Sequence, residues 1–157
     1  MSGHRVSFTY LSQEDLLQAG SLDIRMAMEV AEKAMLAFEA HSILFPEKIV
    51  QIFDQASQER INCLPATLLD EQVCGVKWVS VFPANPVRYG VQNLSAILIL
   101  SEIEKGFPIA VMDGTRASNM RVAAMGAIAA KHLARSNSEG IGFSGAGDQA
   151  TRRRLSM

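Results

Sequence analysis

From Asp23, a residue type that caps helix N-termini, apolar residues recur at Ala27, Val30, Ala31, Ala34 and Phe38. This is the spacing of one buried helical face. Glu29 and Lys33 fall four apart on the outward side, so the pattern predicts an amphipathic surface helix to about His41 with an outward ion pair. Before it, Ser7 to Leu11 reads as a short strand, and Ser12 with Asp15 three residues on reads as a helix start. After Pro46 the period shortens. β-rich runs at Lys48 to Phe53, Arg60 to Leu64, Gly75 to Phe82, Leu94 to Leu100 and Pro108 to Met112 predict five strands in series, joined by ordinary turns at Pro83 to Pro86 and Glu104 to Gly106. The alanine-crowded stretch from Ser118 to Ala134 predicts a helix that lets a neighbour approach closely. Glu139 to Ser144 reads as one more strand, leading into Gly145-Ala146-Gly147-Asp148-Gln149-Ala150.

The order of elements predicts an α+β chain with a mixed, mostly antiparallel sheet and flanking helices. Composition adds mainly exclusions. With Lys+Arg 15 against Asp+Glu 16 in 157 residues, the chain lacks the concentrated positive charge of a nucleic-acid binder. Its basic run, Arg152 to Arg154, reads as a solvated tail. Cys63 and Cys74 are too few and too far apart for a zinc knuckle and read as core thiols, suited to a reducing cytoplasm. No run of about 18 apolar residues suggests a membrane span, and no signal peptide is visible.

Three features carry candidate chemistry. Residues 145 to 150 fit G-x-G-x-x-G/A, in which glycines allow a tight turn and close backbone approach to a pyrophosphate at a helix N-terminus. They read equally as a glycine-rich strand-to-helix turn. Lys77 sits mid-strand with Val79 and Val81 on its face, so its ammonium needs an anion, a carboxylate partner or water, unless the strand is an edge from which it reaches solvent. Arg121 shares a helix face with Ala124, Met125 and Ile128, which leaves its guanidinium a crevice. Its planar fork suits bidentate capture of a carboxylate, and a surface position or an internal ion pair is the alternative.

Taken in order, Gly75-Val76-Lys77-Trp78-Val79, Pro83-Ala84-Asn85, Gly106-Phe107-Pro108, Val111-Met112-Asp113-Gly114, Met120-Arg121-Val122-Ala123-Ala124, Leu133-Ala134-Arg135 and Gly145-Ala146-Gly147 resemble the ornithine cyclodeaminase and mu-crystallin family. The resemblance runs from about Tyr10 to Ala150. It implies a substrate-binding and dimerisation domain over residues 1–135, then in 136–157 only the first strand and turn of a Rossmann domain that binds NAD(H) or NADP(H). It also implies a homodimer formed through the sheet, and a small amino-acid substrate.

By the same resemblance, Lys48, Lys77 and Arg121 hold the substrate carboxylate, with Lys48 standing where arginine is common, and Asn93 stands where a threonine often contacts it. Asn62 occupies the place of a glutamate that faces the distal amine of ornithine, and a neutral amide cannot counter an ammonium. Gly145, Ala146, Gly147, Asp148, Gln149 and Ala150 are the cofactor-binding candidates. The family's catalytic aspartate belongs to the nucleotide domain and is expected beyond Met157, so no catalytic residue is assigned within this sequence. The resemblance therefore implies an incomplete chain, inactive alone. The implied activity is hydride abstraction from the α-carbon, imine formation and cyclisation to proline with loss of ammonia. Alternatives within the family are an amino-acid or imino-acid dehydrogenase of the alanine dehydrogenase, ketimine reductase or diaminopropionate-pathway type, or a non-catalytic binding protein like mu-crystallin.

Overall fold

The computed structural model describes residues 5–145 and 147. Among them, seven strands form one sheet: β1 (Thr9–Leu11), β2 (Ile43–Leu44), β3 (Ile49–Asp54), β4 (Glu59–Leu68), β5 (Val73–Val81), β6 (Leu94–Glu102) and β7 (Pro108–Asp113). The helices are α1 (Gln13–Gln18), α2 (Ile24–Glu39), α3 (Asn85–Tyr89) and α4 (Thr115–Leu133). Strand order is β1-β7-β6-β5-β4-β2, with β3 also paired to β4. Every pairing is antiparallel except β1 with β7.

The mixed, mostly antiparallel sheet with flanking helices matches the alternation read from the sequence, and the five predicted strands correspond to β3 to β7. The β4 strand outruns its predicted end because Pro65 falls in a local gap. β3 pairs with β4 no further than Cys63 and β2 resumes at Thr67, so a missing N–H at Pro65 interrupts neither ladder. The two-residue β2 falls where the sequence pattern predicts no element, and the short α3, whose Pro86 sits in its first turn and whose Gly90 ends it in a left-handed conformation, extends from the turn expected at Pro83 to Pro86.

Two expectations need correction. Residues 139–144 form no strand. A parallel strand draws its ladder bonds from neighbours, and none of the seven strands pairs with this segment. Lys33 does not make its pair with Glu29. It reaches Glu71 in the β4–β5 turn, a partner invisible to helical spacing.

The sheet has two different faces. Antiparallel partners share a face, so Leu64, Lys77, Leu98 and Met112 line up across β4, β5, β6 and β7 on one side. α4 lies over this side, and α2 packs on α4 through Ala31, Ala124 and Ile128, with Ile24, Ala27 and Met28 around them. Alanines at 123, 124 and 127 are buried, which permits the close helix approach that the composition predicts. Between the two helices, Glu32 accepts from Lys131 Nζ at 3.1 Å and lies 2.8 Å from His132 Nε2. The opposite sheet face carries Ile49, Cys63, Trp78, Ile97 and Ile99 and has no helix over its centre among the described residues. Both free cysteines are half-buried; Cys63 lies on this open face and not in the helix-covered core.

A candidate carboxylate site under helix α4

Lys77 lies in β5, which is paired on both sides, so the edge-strand alternative fails. Its Nζ donates to Ser118 Oγ at 2.9 Å from the first turns of α4, and the side chain is half-buried. Burial, and secondly the positive charge of Arg121, hold the Lys77 pKa below the ordinary lysine range. Neither influence is compensated by a carboxylate. Arg121, one helical turn beyond Ser118, lines the same cleft of ≈ 570 Å³, whose other walls among the described residues are apolar, with no Asp or Glu. Two like charges on one apolar cleft favour an anion between them, and a planar carboxylate is the shape that suits a guanidinium fork.

The placement of α4 depends on its first residue. Thr115 Oγ1 accepts from the Ala96 backbone N–H at 3.0 Å and donates to Asp113 Oδ2 at 3.0 Å, while Gly114 N donates to Ala96 O at 2.8 Å. The helix entrance is thereby tied to β6, which sets Ser118 and Arg121 over Lys77. Ser118 escapes a reading of the sequence for candidate chemistry. Its signal is the three-residue spacing to Arg121, which puts both on one helix face.

The other candidates divide. Asn62 pairs with Val79, so it lies on the Lys77 face one step along the strands, and its Oδ1 is buried without a hydrogen-bond partner. Lys48 is exposed and precedes β3 by one residue. Continuing the β3–β4 register places it opposite Leu64, on the Lys77 face but two strands away. Asn93 is not brought to these cations. It lines a separate cleft of ≈ 420 Å³ with Glu59, Ser80, Arg88 and Ser95, and its carbonyl accepts from Phe82 N at 2.8 Å. Of the cofactor candidates, Gly145 has φ of 98°, a left-handed conformation suited to glycine, and both Gly145 and Gly147 face open space where a Cβ would stand. Ala146, Asp148, Gln149 and Ala150 lie outside the described residues. So does Met157, the position beyond which the family's catalytic aspartate is expected.

A family model for ornithine cyclodeaminase/mu-crystallin proteins matches residues 13–157. The chain belongs to the ornithine cyclodeaminase/mu-crystallin family. The alanine dehydrogenase of Archaeoglobus fulgidus is 38% identical over 140 residues, covering 89% of this chain and 41% of the relative. A solved archaeal alanine dehydrogenase dimer with bound NAD superposes with a TM-score of 0.85 at 34% identity, over 95% of this chain and 44% of that one. The Δ1-pyrroline-2-carboxylate reductase of Thermococcus litoralis, solved with NADH and L-proline, gives a TM-score of 0.85 at 29% identity, over 94% and 44%. The chain thus spans less than half the length of these ornithine cyclodeaminase/mu-crystallin relatives.

Proposed function

We propose that this chain supplies the substrate-carboxylate site and the dimer face of an NAD(P)-linked enzyme that works at the α-carbon of an amino or imino acid. The observation that carries the reading is the convergence of Lys77 and Arg121 on one cleft without a balancing acid. In this reading residues 1–135 are the substrate unit and 136–157 open the nucleotide-binding domain, with the catalytic aspartate of the family supplied from beyond Met157. The left-handed Gly145 and the open space at Gly145 and Gly147 suit close approach of a pyrophosphate. NAD(H) or NADP(H), when bound, exchanges hydride with the substrate. The residues described here bind and orient: Lys77 and Arg121 hold the carboxylate, Ser118 fixes the lysine head, and Lys48, exposed two strands away on the same face, adds only long-range positive charge.

Oxidation or reduction of an amino or imino acid is favoured by the alanine dehydrogenase and pyrroline-carboxylate reductase relatives. Cyclisation of ornithine is the second reading, supported by the family's membership. For either, the open sheet face and the dimeric alanine dehydrogenase neighbour support a homodimer. The clamp is tested by NMR titration of this chain with L-alanine and L-alaninamide. The acid should bind better, and Arg121→Ala should weaken the acid by about 2 kcal/mol, the scale of a hydrogen bond to a charged group, while leaving the amide unchanged. Equal loss for acid and amide, or no preference in the parent, overturns the clamp.

A further inference from the structure

We propose that the cleft selects an uncharged aliphatic side chain and rejects a substrate with a second ammonium, a specificity that rests on the carboxylate reading above. Away from Lys77, the next step along the strands is the rung Ala66–Gly75–Leu100, followed by Leu68 opposite Val73. All five residues line the cleft, together with Leu64 and Leu98 on the Lys77 rung. Phe45, just past β2 and largely exposed, flanks the Ala66 rung at the edge of the cleft, and its ring is braced edge-on by Phe38 from α2, with centroids 6.2 Å apart and planes at 86°.

The floor of this chamber is kept low by Gly75. A Cβ there would meet Leu100 Cδ2 at 2.8 Å and Ile99 O at 3.1 Å, so any side chain would push Leu100 into the space above. With the carboxylate held at Lys77 and Arg121, the substrate's side chain extends over the small rung toward Phe45. An aliphatic chain there exchanges water for apolar contact. A distal ammonium would lose its hydration, find no carboxylate among the lining residues, and face two cations already present.

Norleucine and ornithine test this, since a terminal methyl in one replaces the ammonium of the other at matched length. In NMR titrations of this chain near pH 7, norleucine should bind at least about tenfold more tightly than ornithine. Leu68→Glu, at the exposed rim of the cleft, should reverse the order by supplying the missing counter-charge. Phe45→Glu makes the same test from the neighbouring edge of the cleft should the first variant fold poorly. Norleucinamide separates the two levels. If norleucine beats its amide yet ornithine binds as well as norleucine, the apolar selection is wrong and the clamp survives. If norleucine shows no advantage over its amide, or neither amino acid binds, the clamp fails and this proposal falls with it.

Discussion

Lys77 keeps its ammonium in a half-buried site beside another cation, an arrangement that lowers folding stability. The sign of its pH effect follows from the shift. The folded protein releases this proton at lower pH than the unfolded chain, whose lysine titrates near the ordinary value of about 10.4. Between the lowered value and the ordinary one the unfolded state binds more protons, so stability attributable to Lys77 increases as pH rises through that window. Lys77→Met should therefore flatten the alkaline rise, raise stability at neutral pH, and weaken the preference for carboxylates, which Arg121 then holds alone. Urea denaturation across an alkaline pH series reads the first two. A variant less stable than its parent at neutral pH would contradict the picture of an uncompensated charge. The lysine's anomaly is legible in the sequence, because an ammonium amid valines stands out from strand alternation. Its partner is not, since Ser118 lies 41 residues away and is brought over by the β7–α4 connection.

Among the elements, α4 shows where local pattern stops being informative. Its alanines announce a helix, yet the helix begins at Thr115 and not at Ser118, and the reason is tertiary. Thr115 does not cap its own helix; its hydroxyl bridges the Ala96 N–H and the Asp113 carboxylate, and the residue is only 5% exposed. Thr115→Val keeps the shape and deletes the bridge, leaving the Ala96 N–H without its acceptor while Asp113 keeps only the backbone N–H of residue 115 and Gln13. We expect a loss of about 1–3 kcal/mol in urea denaturation and weaker carboxylate binding, because Ser118 and Arg121 ride on the same helix. A variant of unchanged stability would mean that the helix entrance is held by packing alone. The same distinction explains the other departures. Strands β3 to β7 are visible through alternation and turn residues, whereas β2, two residues long, exists through its pairing with Thr67 and Leu68. Residues 139–144 have strand composition but no neighbour to pair with among the described strands.

At the scale of the molecule, the unanswered demand is the bare side of the sheet. Sequence alternation locates apolar residues on both faces of β6, but only the cross-strand register shows which face α4 covers and which stays open. On the open face Trp78 is 41% exposed, Ile97 48% and Ile49 61%, with Ile99 on the next step of the strands. A contiguous apolar surface at the centre of a sheet favours association, and a symmetric pairing sets each of these residues against the partner's copy of the same patch. The chain's single tryptophan makes the event observable. Dilution should shift Trp78 emission to longer wavelength as the indole becomes hydrated, in step with a fall in mass by sedimentation equilibrium. Ile97, the target of the substitution Ile97→Lys, pairs directly opposite Trp78 and enters a two-fold interface twice, so one change buries two unpaired ammonium groups. It should give a monomer at every concentration, with red-shifted emission from the start, while far-UV circular dichroism stays that of the parent because Ile97 is already half exposed within one chain. A parent chain that sediments as a monomer at high concentration, with emission unchanged on dilution, would show that this face is left in water and that the sheet tolerates it.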